Sequence, residues 1–250
     1  PQQTWLHDER GFRGSLRALA PATIPGASFV LSLCPLPQMR RSLPMFANRE
    51  QAARQLTERL QAYAGTHPLV LAIPRGGVPM GNIVADALGG ELDVVLVHKL
   101  GAPGNPELAI GAVSEHGTVF PRTLAQSAGS QEDYIRREAE RQLQTLRRRR
   151  ETYTPDREAV SPEGRTVIIV DDGVATGATM TAALQTVRQE QPRRLIAAMG
   201  VAPPKAVEAL RTKADEVVCL ETPRAFTAVG QAFAEFDEVT DAAVIEALRD

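Results

Sequence analysis

The segment TVIIVDDGVATGATM, residues 166–180, constrains this chain more than any other. Its order reads as strand, turn, helix. Val167, Ile168, Ile169 and Val170 form an unbroken β-branched run, the pattern of a strand buried on both faces of a parallel sheet. Asp171 and Asp172 then stand at the C-terminal end of that strand. Gly173, Ala175, Gly177 and Ala178 leave the backbone uncovered, so successive amides can converge on an anion, and Thr176 and Thr179 add hydroxyl donors. A helix expected from Ala178 through Val187 brings its free amides and positive dipole end to the same turn. Two adjacent carboxylates repel a bare polyanion, but they suit a ligand that presents hydroxyls, or Mg²⁺ held between its phosphates. A sugar phosphate with a metal ion meets all these demands.

The run Asp171, Asp172, then small residues, then Thr176-Gly177-x-Thr179 resembles the phosphoribosyl pyrophosphate (PRPP) binding motif of type I phosphoribosyltransferases. A glycine-rich βα turn with acidic caps accounts for the glycines and one carboxylate, but not for paired Asp followed by Thr-Gly-x-Thr. A Walker phosphate loop needs a Lys before its Ser/Thr, and a dinucleotide fingerprint needs GxGxxG; neither occurs here. The resemblance implies that Ala175, Thr176, Gly177, Ala178 and Thr179 anchor the 5-phosphate. It implies that Asp171 and Asp172 act catalytically on the ribose hydroxyls, directly or through metal-bound water, with Mg²⁺ bound chiefly through the substrate.

The length, 250 residues with 43% hydrophobic content, suits one sizeable α/β domain. Net charge −2 and a pI near 6.2 give no pull toward nucleic acid or an anionic membrane, so a small-molecule partner is expected. Cys34 and Cys219 lie far apart, which indicates neither a disulfide framework nor a metal quartet and fits a reducing cytoplasm. No apolar run reaches the roughly 20 residues of a membrane helix. His7, His67 and His116 read as surface or loop residues. Residues 1–44 are proline-rich, with Arg10, Arg13 and Arg17 ahead of a short apolar patch, Phe29 to Cys34. The arginines before that patch suggest a leader, but its shortness and the prolines after it favour a poorly ordered extension. The folded domain is expected over 45–250, with Met45 as a natural start.

From Asn48 the pattern becomes regular. Asn48 reads as an N-cap, with Gln51 three residues on, Ala52, Leu56, Leu60 and Tyr63 at helical spacing, and Gly65 as the stop. Leu69 to Ile73 reads as a buried strand and Val78 to Leu88 as a helix. Between them, Arg75, Gly76 and Gly77 offer a forked donor and bare amides to a diphosphate. They resemble the short loop with which the family grips pyrophosphate, often around a cis peptide. Asp93 to His98 reads as a further strand that sets Lys99 at a C-terminal sheet edge, where parallel sheets place ligands. Lys99 resembles the Lys of the basic pair in adenine-type members, with His98 where Arg is usual; this implies a catalytic Lys99. The turn-rich stretch Gly101 to Pro106 is then expected to be a lid, and Glu107 and Glu115 flank the segment after it.

Residues 131–152 form a long amphipathic helix within a helical insertion expected at 131–160. It ends in Arg147 to Arg150, read as a solvated helix end because acidic residues surround it and no aromatics interleave. Strands are expected at Arg194 to Val201 and Glu216 to Leu220, with a helix at Pro204 to Lys213. In the tail, 222–250, the resemblance implies a small hood over the acceptor, with Pro223 to Gly230 as candidate; Phe233 and Phe236 are expected to pack the last helix on the sheet.

The expected fold is therefore α/β, an open parallel sheet flanked by helices with a small hood and a helical insertion. PRGGVP, KLGAPGNPE and VDDGVATGAT together resemble an uncharacterised phosphoribosyltransferase-like branch. The implied activity is Mg²⁺-dependent transfer of 5-phosphoribose from PRPP to a nitrogen nucleophile such as a nucleobase, as in nucleotide salvage; homodimers are compatible with the family. Hypoxanthine- and guanine-type members carry an Asp where this chain has Ala175, which argues against a 6-oxopurine acceptor. A PRPP- or nucleotide-sensing regulator, and hydrolysis or phosphorolysis of a related phosphoribosyl compound, are the competing readings.

Overall fold

The structure, a computed structural model, describes residues 44–102, 105–115, 132–155 and 157–249. The extension over residues 1–43, with Cys34, falls outside them. So do His116 and the tip of the expected lid, Pro103-Gly104.

Asn48 caps α1 (Arg49–Arg59), its side chain accepting from the Gln51 amide at 3.0 Å. β1 (Leu69–Ala72), α2 (Gly77–Leu88) and β2 (Glu91–Val94) follow. The chain then leaves the sheet for an antiparallel pair, β3 (Val97–Ala102) and β4 (Asn105–Ser114), and a long helix, α3 (Glu132–Tyr153). It returns through β5 (Thr166–Gly173), α4 (Ala178–Gln189), β6 (Arg194–Val201), α5 (Pro204–Arg211) and β7 (Glu216–Glu221), and closes with α6 (Asp241–Ala247).

Five strands form one parallel sheet in the order β2-β1-β5-β6-β7. The alternation in β5 divides the core as the sequence predicts. Ile168 and Val170 join Leu56 of α1, Leu60 just past its end, and Met80 and Val84 of α2 on one face. Val167 and Ile169 join Met180 and Leu184 of α4 and Leu210 of α5 on the other. Burying a strand on both faces in this way removes apolar area from water at roughly 25 cal/mol per Å². Connections run from β1 outward to β2 in one direction and to β5 in the other. The C-terminal ends of β1 and β5 are thus the topological switch point, where open α/β sheets leave a crevice.

Three expectations are corrected. The apolar run from Asp93 is two strands, because the last ladder bond, Val95 N–H to the Ala72 carbonyl at 3.0 Å, lies where the neighbouring strand itself ends. Lys99 therefore sits in β3 opposite Ala112, not at the edge of the parallel sheet. Gly101, Ala102, Asn105 and Pro106, expected in a loop, belong to the hairpin strands.

Arg150 is not a solvated helix end. Its guanidinium reaches Asp93 Oδ1 and Glu115 Oε1, both at 2.7 Å, and the Val94 carbonyl at 2.8 Å. Asp93 is 1% exposed, so its charge is matched only inside the protein. This cluster fastens α3 to the edge of the sheet, and it gives Glu115 a structural partner. The side chain of Glu107 lies outside the described residues.

Candidate active site

Strand ends, helix starts and the turns between them meet at the switch point. The ladder continues past β1 and β5 through Ile73 N–H to the Val170 carbonyl, 2.9 Å, and Val174 N–H to the Val201 carbonyl, 2.8 Å. These bonds align Pro74-Arg75-Gly76 with Asp171-Asp172-Gly173 across a cleft of about 510 Å³. The Pro74–Arg75 peptide is cis, as the resemblance implies for this loop. A Cβ on Gly76 would lie 2.1 Å from Asp172 Oδ2, and one on Gly77 would lie 2.5 Å from the Val170 carbonyl oxygen. Only glycine lets the loop close so tightly on the acidic pair.

At the other wall the strand turns into α4 through Gly177, whose φ of +83° is the left-handed region that favours glycine. Thr176 Oγ1 accepts from the Ala178 amide at 3.4 Å and so braces the turn. Thr179 faces the cleft. Ala175 and Thr176 open onto an adjacent groove bordered by Pro203–Ala206 and Arg224.

The two carboxylates differ. Asp172 accepts from Arg49 Nε at 2.8 Å, while Asp171 Oδ1 accepts the backbone amide of Asp172 at 2.9 Å. Burial, and then the neighbouring Asp172 carboxylate, push the Asp171 carboxyl well above the usual carboxylate range. Arg75 is paired internally, Nη2 with Glu238 and Nη1 with Asp241 at 3.8 Å.

The structure thus brings Asp171, Asp172, Arg75, Gly76 and Thr179 to one cleft, with Gly77 and Ala178 in the backbone behind it. It does not bring Lys99 there. Three contributors were not expected from sequence: Arg49, Phe236 and Glu238. Arg49 had a local signal, because a cation at the first residue of a helix opposes the helix dipole and calls for a tertiary partner. Phe236 is a correction. Phe233 is buried against Phe46 as a core ring, but Phe236 is 36% exposed, stacks on Phe233 at 5.0 Å and walls the cleft. The last helix packs through Val244 and Leu248 against the α2 and α3 side instead. Pro223 to Gly230 does not line the cleft: Phe226 lies against the core, while Val229 and Gly230 back onto the cleft residues Gly173 and Phe236.

Among the described residues no three His, Cys, Asp or Glu side chains form a metal cage. The adjacent Asp171 and Asp172 fit instead an ion that keeps its waters and takes substrate phosphates as further ligands, as Mg²⁺ does. No helix among the described residues is long and apolar enough to cross a membrane.

An open parallel sheet with an acidic pair and an amide-lined turn at its switch point defines an α/β domain of the type I phosphoribosyltransferase fold. The phosphoribosyl transferase domain model matches residues 43–234, and the chain belongs to that family. It is 41% identical over 207 residues to two Mycobacterium tuberculosis proteins, of strains H37Rv and CDC 1551, provisionally named phosphoribosyl transferases. The match covers 81% of this chain and 46% of theirs, so the chain spans about half the length of those relatives. The crystal structure of the protein TT1426 from Thermus thermophilus is similar at 50% identity and a TM-score of 0.74, covering 81% of this chain and 97% of that one.

Proposed function

We propose that this domain transfers the 5-phosphoribosyl group from PRPP to a nitrogen nucleophile such as a nucleobase and releases pyrophosphate. The observation that carries this reading is the convergence of Asp171, Asp172, Arg75 and Thr179 on one crevice, with Ala175 and Thr176 of the same turn lining the groove beside it. Amides of the turn and the Thr176 and Thr179 hydroxyls would hold the 5-phosphate. That anchor fixes the sugar so that the anomeric carbon alone moves between leaving group and acceptor. As the bond from that carbon to the diphosphate oxygen breaks, the electron pair leaves with pyrophosphate and positive charge develops on the ribose ring. Asp171 and Asp172 would hold the ring hydroxyls and stabilise that charge. The acceptor nitrogen then forms the new bond and gives up its proton to solvent.

Arg75 and the Gly76 and Gly77 amides would take up the charge of the departing diphosphate, once Arg75 exchanges Glu238 for substrate. Lys99 would join them only from the β3–β4 hairpin, in a loaded arrangement different from this one. Mg²⁺, when bound, supplies further neutralisation of the diphosphate, and Asp171 and Asp172 would hold it through water.

The test is isothermal titration of PRPP with Mg²⁺ into wild type and an Asp171→Asn/Asp172→Asn variant, followed by a pyrophosphate-release screen over nucleobases. Binding by wild type alone, with release for one base, supports the reading and names the acceptor. Binding without release for any base supports a PRPP sensor. Absence of PRPP binding by wild type sinks both.

A further inference from the structure

Arg49 lies outside every motif that marks the site, yet its guanidinium is held at three points inside it. Nε donates to Asp172 Oδ2 at 2.8 Å, Nη1 donates to the Asp237 carbonyl at 2.8 Å, and the Phe236 ring centroid lies 3.8 Å from Cζ. The Arg49 and Asp172 side chains are 14% and 10% exposed, so water screens the pair little. The planar fork serves two acceptors and lies on an aromatic face in one fixed geometry, which the compact point charge of a lysine ammonium does not reproduce.

From this geometry we propose that Arg49 is a positioning residue for the sugar-hydroxyl cradle. It fixes the Asp172 carboxylate at the cleft and ties it to the Phe236–Val239 wall. The motif at the end of β5 then supplies the carboxylate, while the first turn of α1 and the tail decide where it points. Gly76 lies on the other side of the carboxylate, in the space where a Cβ would stand 2.1 Å from Asp172 Oδ2. The proposal rests on the phosphoribosyl reading, in which Asp172 meets a ribose hydroxyl. It predicts that Arg49 matters to ligands that carry the ribose and not to the diphosphate alone.

The experiment is a double-mutant cycle read by titration with two probes, PRPP with Mg²⁺ and inorganic pyrophosphate with Mg²⁺. The proteins are wild type, Arg49→Gln, Asp172→Asn, the double variant and Arg49→Lys, each checked by thermal melt. Arg49→Gln should weaken PRPP binding about tenfold or more, the usual scale for a hydrogen bond to a charged group. Pyrophosphate binding should stay within about twofold, and the double variant should bind PRPP no more weakly than the worse single, because both changes remove one unit. Losses that multiply in the double variant, equal losses for pyrophosphate, or an unchanged Arg49→Gln would overturn the proposal while leaving the phosphoribosyl reading intact. If Arg49→Gln does not fold, Arg49→Lys takes its place in the same cycle with the same expectation. A wild type that does not bind PRPP refutes the phosphoribosyl reading, and the Arg49 assignment falls with it.

Discussion

Gly76 and Asp172, one at the N-cap of α2 and the other near the end of β5, are so closely apposed that a methyl group on the glycine would lie 2.1 Å from Oδ2 of the carboxylate. The loop offered to the diphosphate and the carboxylate offered to the sugar are thus parts of one packed unit. Gly76→Ala forces Asp172 out of its position at the cleft. Loss of PRPP binding by at least about tenfold is expected, measured by titration, with the melt showing a folded protein. Retained affinity would show that the contact does not set the site.

Glu238→Gln is expected to loosen Arg75, leaving it the longer contact to Asp241 at 3.8 Å. Its pair with Glu238 is largely exposed, and such pairs are worth about 0–1 kcal/mol. PRPP binding should therefore tighten by no more than about fivefold at low salt, and the gain should shrink as ionic strength rises. Weaker binding in Glu238→Gln would mean that Glu238 supports the site instead of competing for it.

Stability should carry the signature of Asp171. Its folded pKa lies above the ordinary 3.8, so the folded state keeps a proton that the unfolded chain releases. The contribution is fully present below about pH 3.8 and is lost as pH rises through the raised folded value. Asp171→Asn, which has no proton to lose, should melt at a higher temperature than wild type near neutral pH, with the difference fading toward pH 4. Equal melting at all pH values would contradict the assignment.

Replacing Arg150 with Met leaves Glu115 without its cation and Asp93 with only the longer contact to Arg157, 3.4 Å. A loss of about 3–5 kcal/mol is expected by denaturant unfolding, the scale for one partner removed from a buried pair. PRPP affinity of the folded fraction should not change, since this cluster is separate from the cleft. Reduced affinity would connect the α3 anchor to the site.

Much of the fold is legible along the chain because its signals are local. The β-branched run of β5, the Asn48 cap and the glycines of the turn each act on their own stretch of backbone, and their spacing survives any tertiary context. The break between β2 and β3 is not local. The run from Asp93 stays apolar through Val97, and only the length of the strand beside it determines where pairing stops. Arg150 shows the same limit. Charged residues fill every face of α3 outside its apolar stripe, and nothing along the helix reveals that one of four arginines meets an aspartate buried on the sheet edge.

The strands β1, β5, β6 and β7, the acidic pair and the phosphate turn were determined by sequence alone, because hydrophobic periodicity and backbone freedom are properties of consecutive residues. Tertiary structure alone decided which charges face one another. Arg49 reaches Asp172 across 123 positions, Glu238 reaches Arg75 across 163, and Phe236 joins the cleft wall instead of the core. Electrostatic partners are chosen by distance in space, and that distance exists only once the sheet has brought the ends of β1 and β5 together.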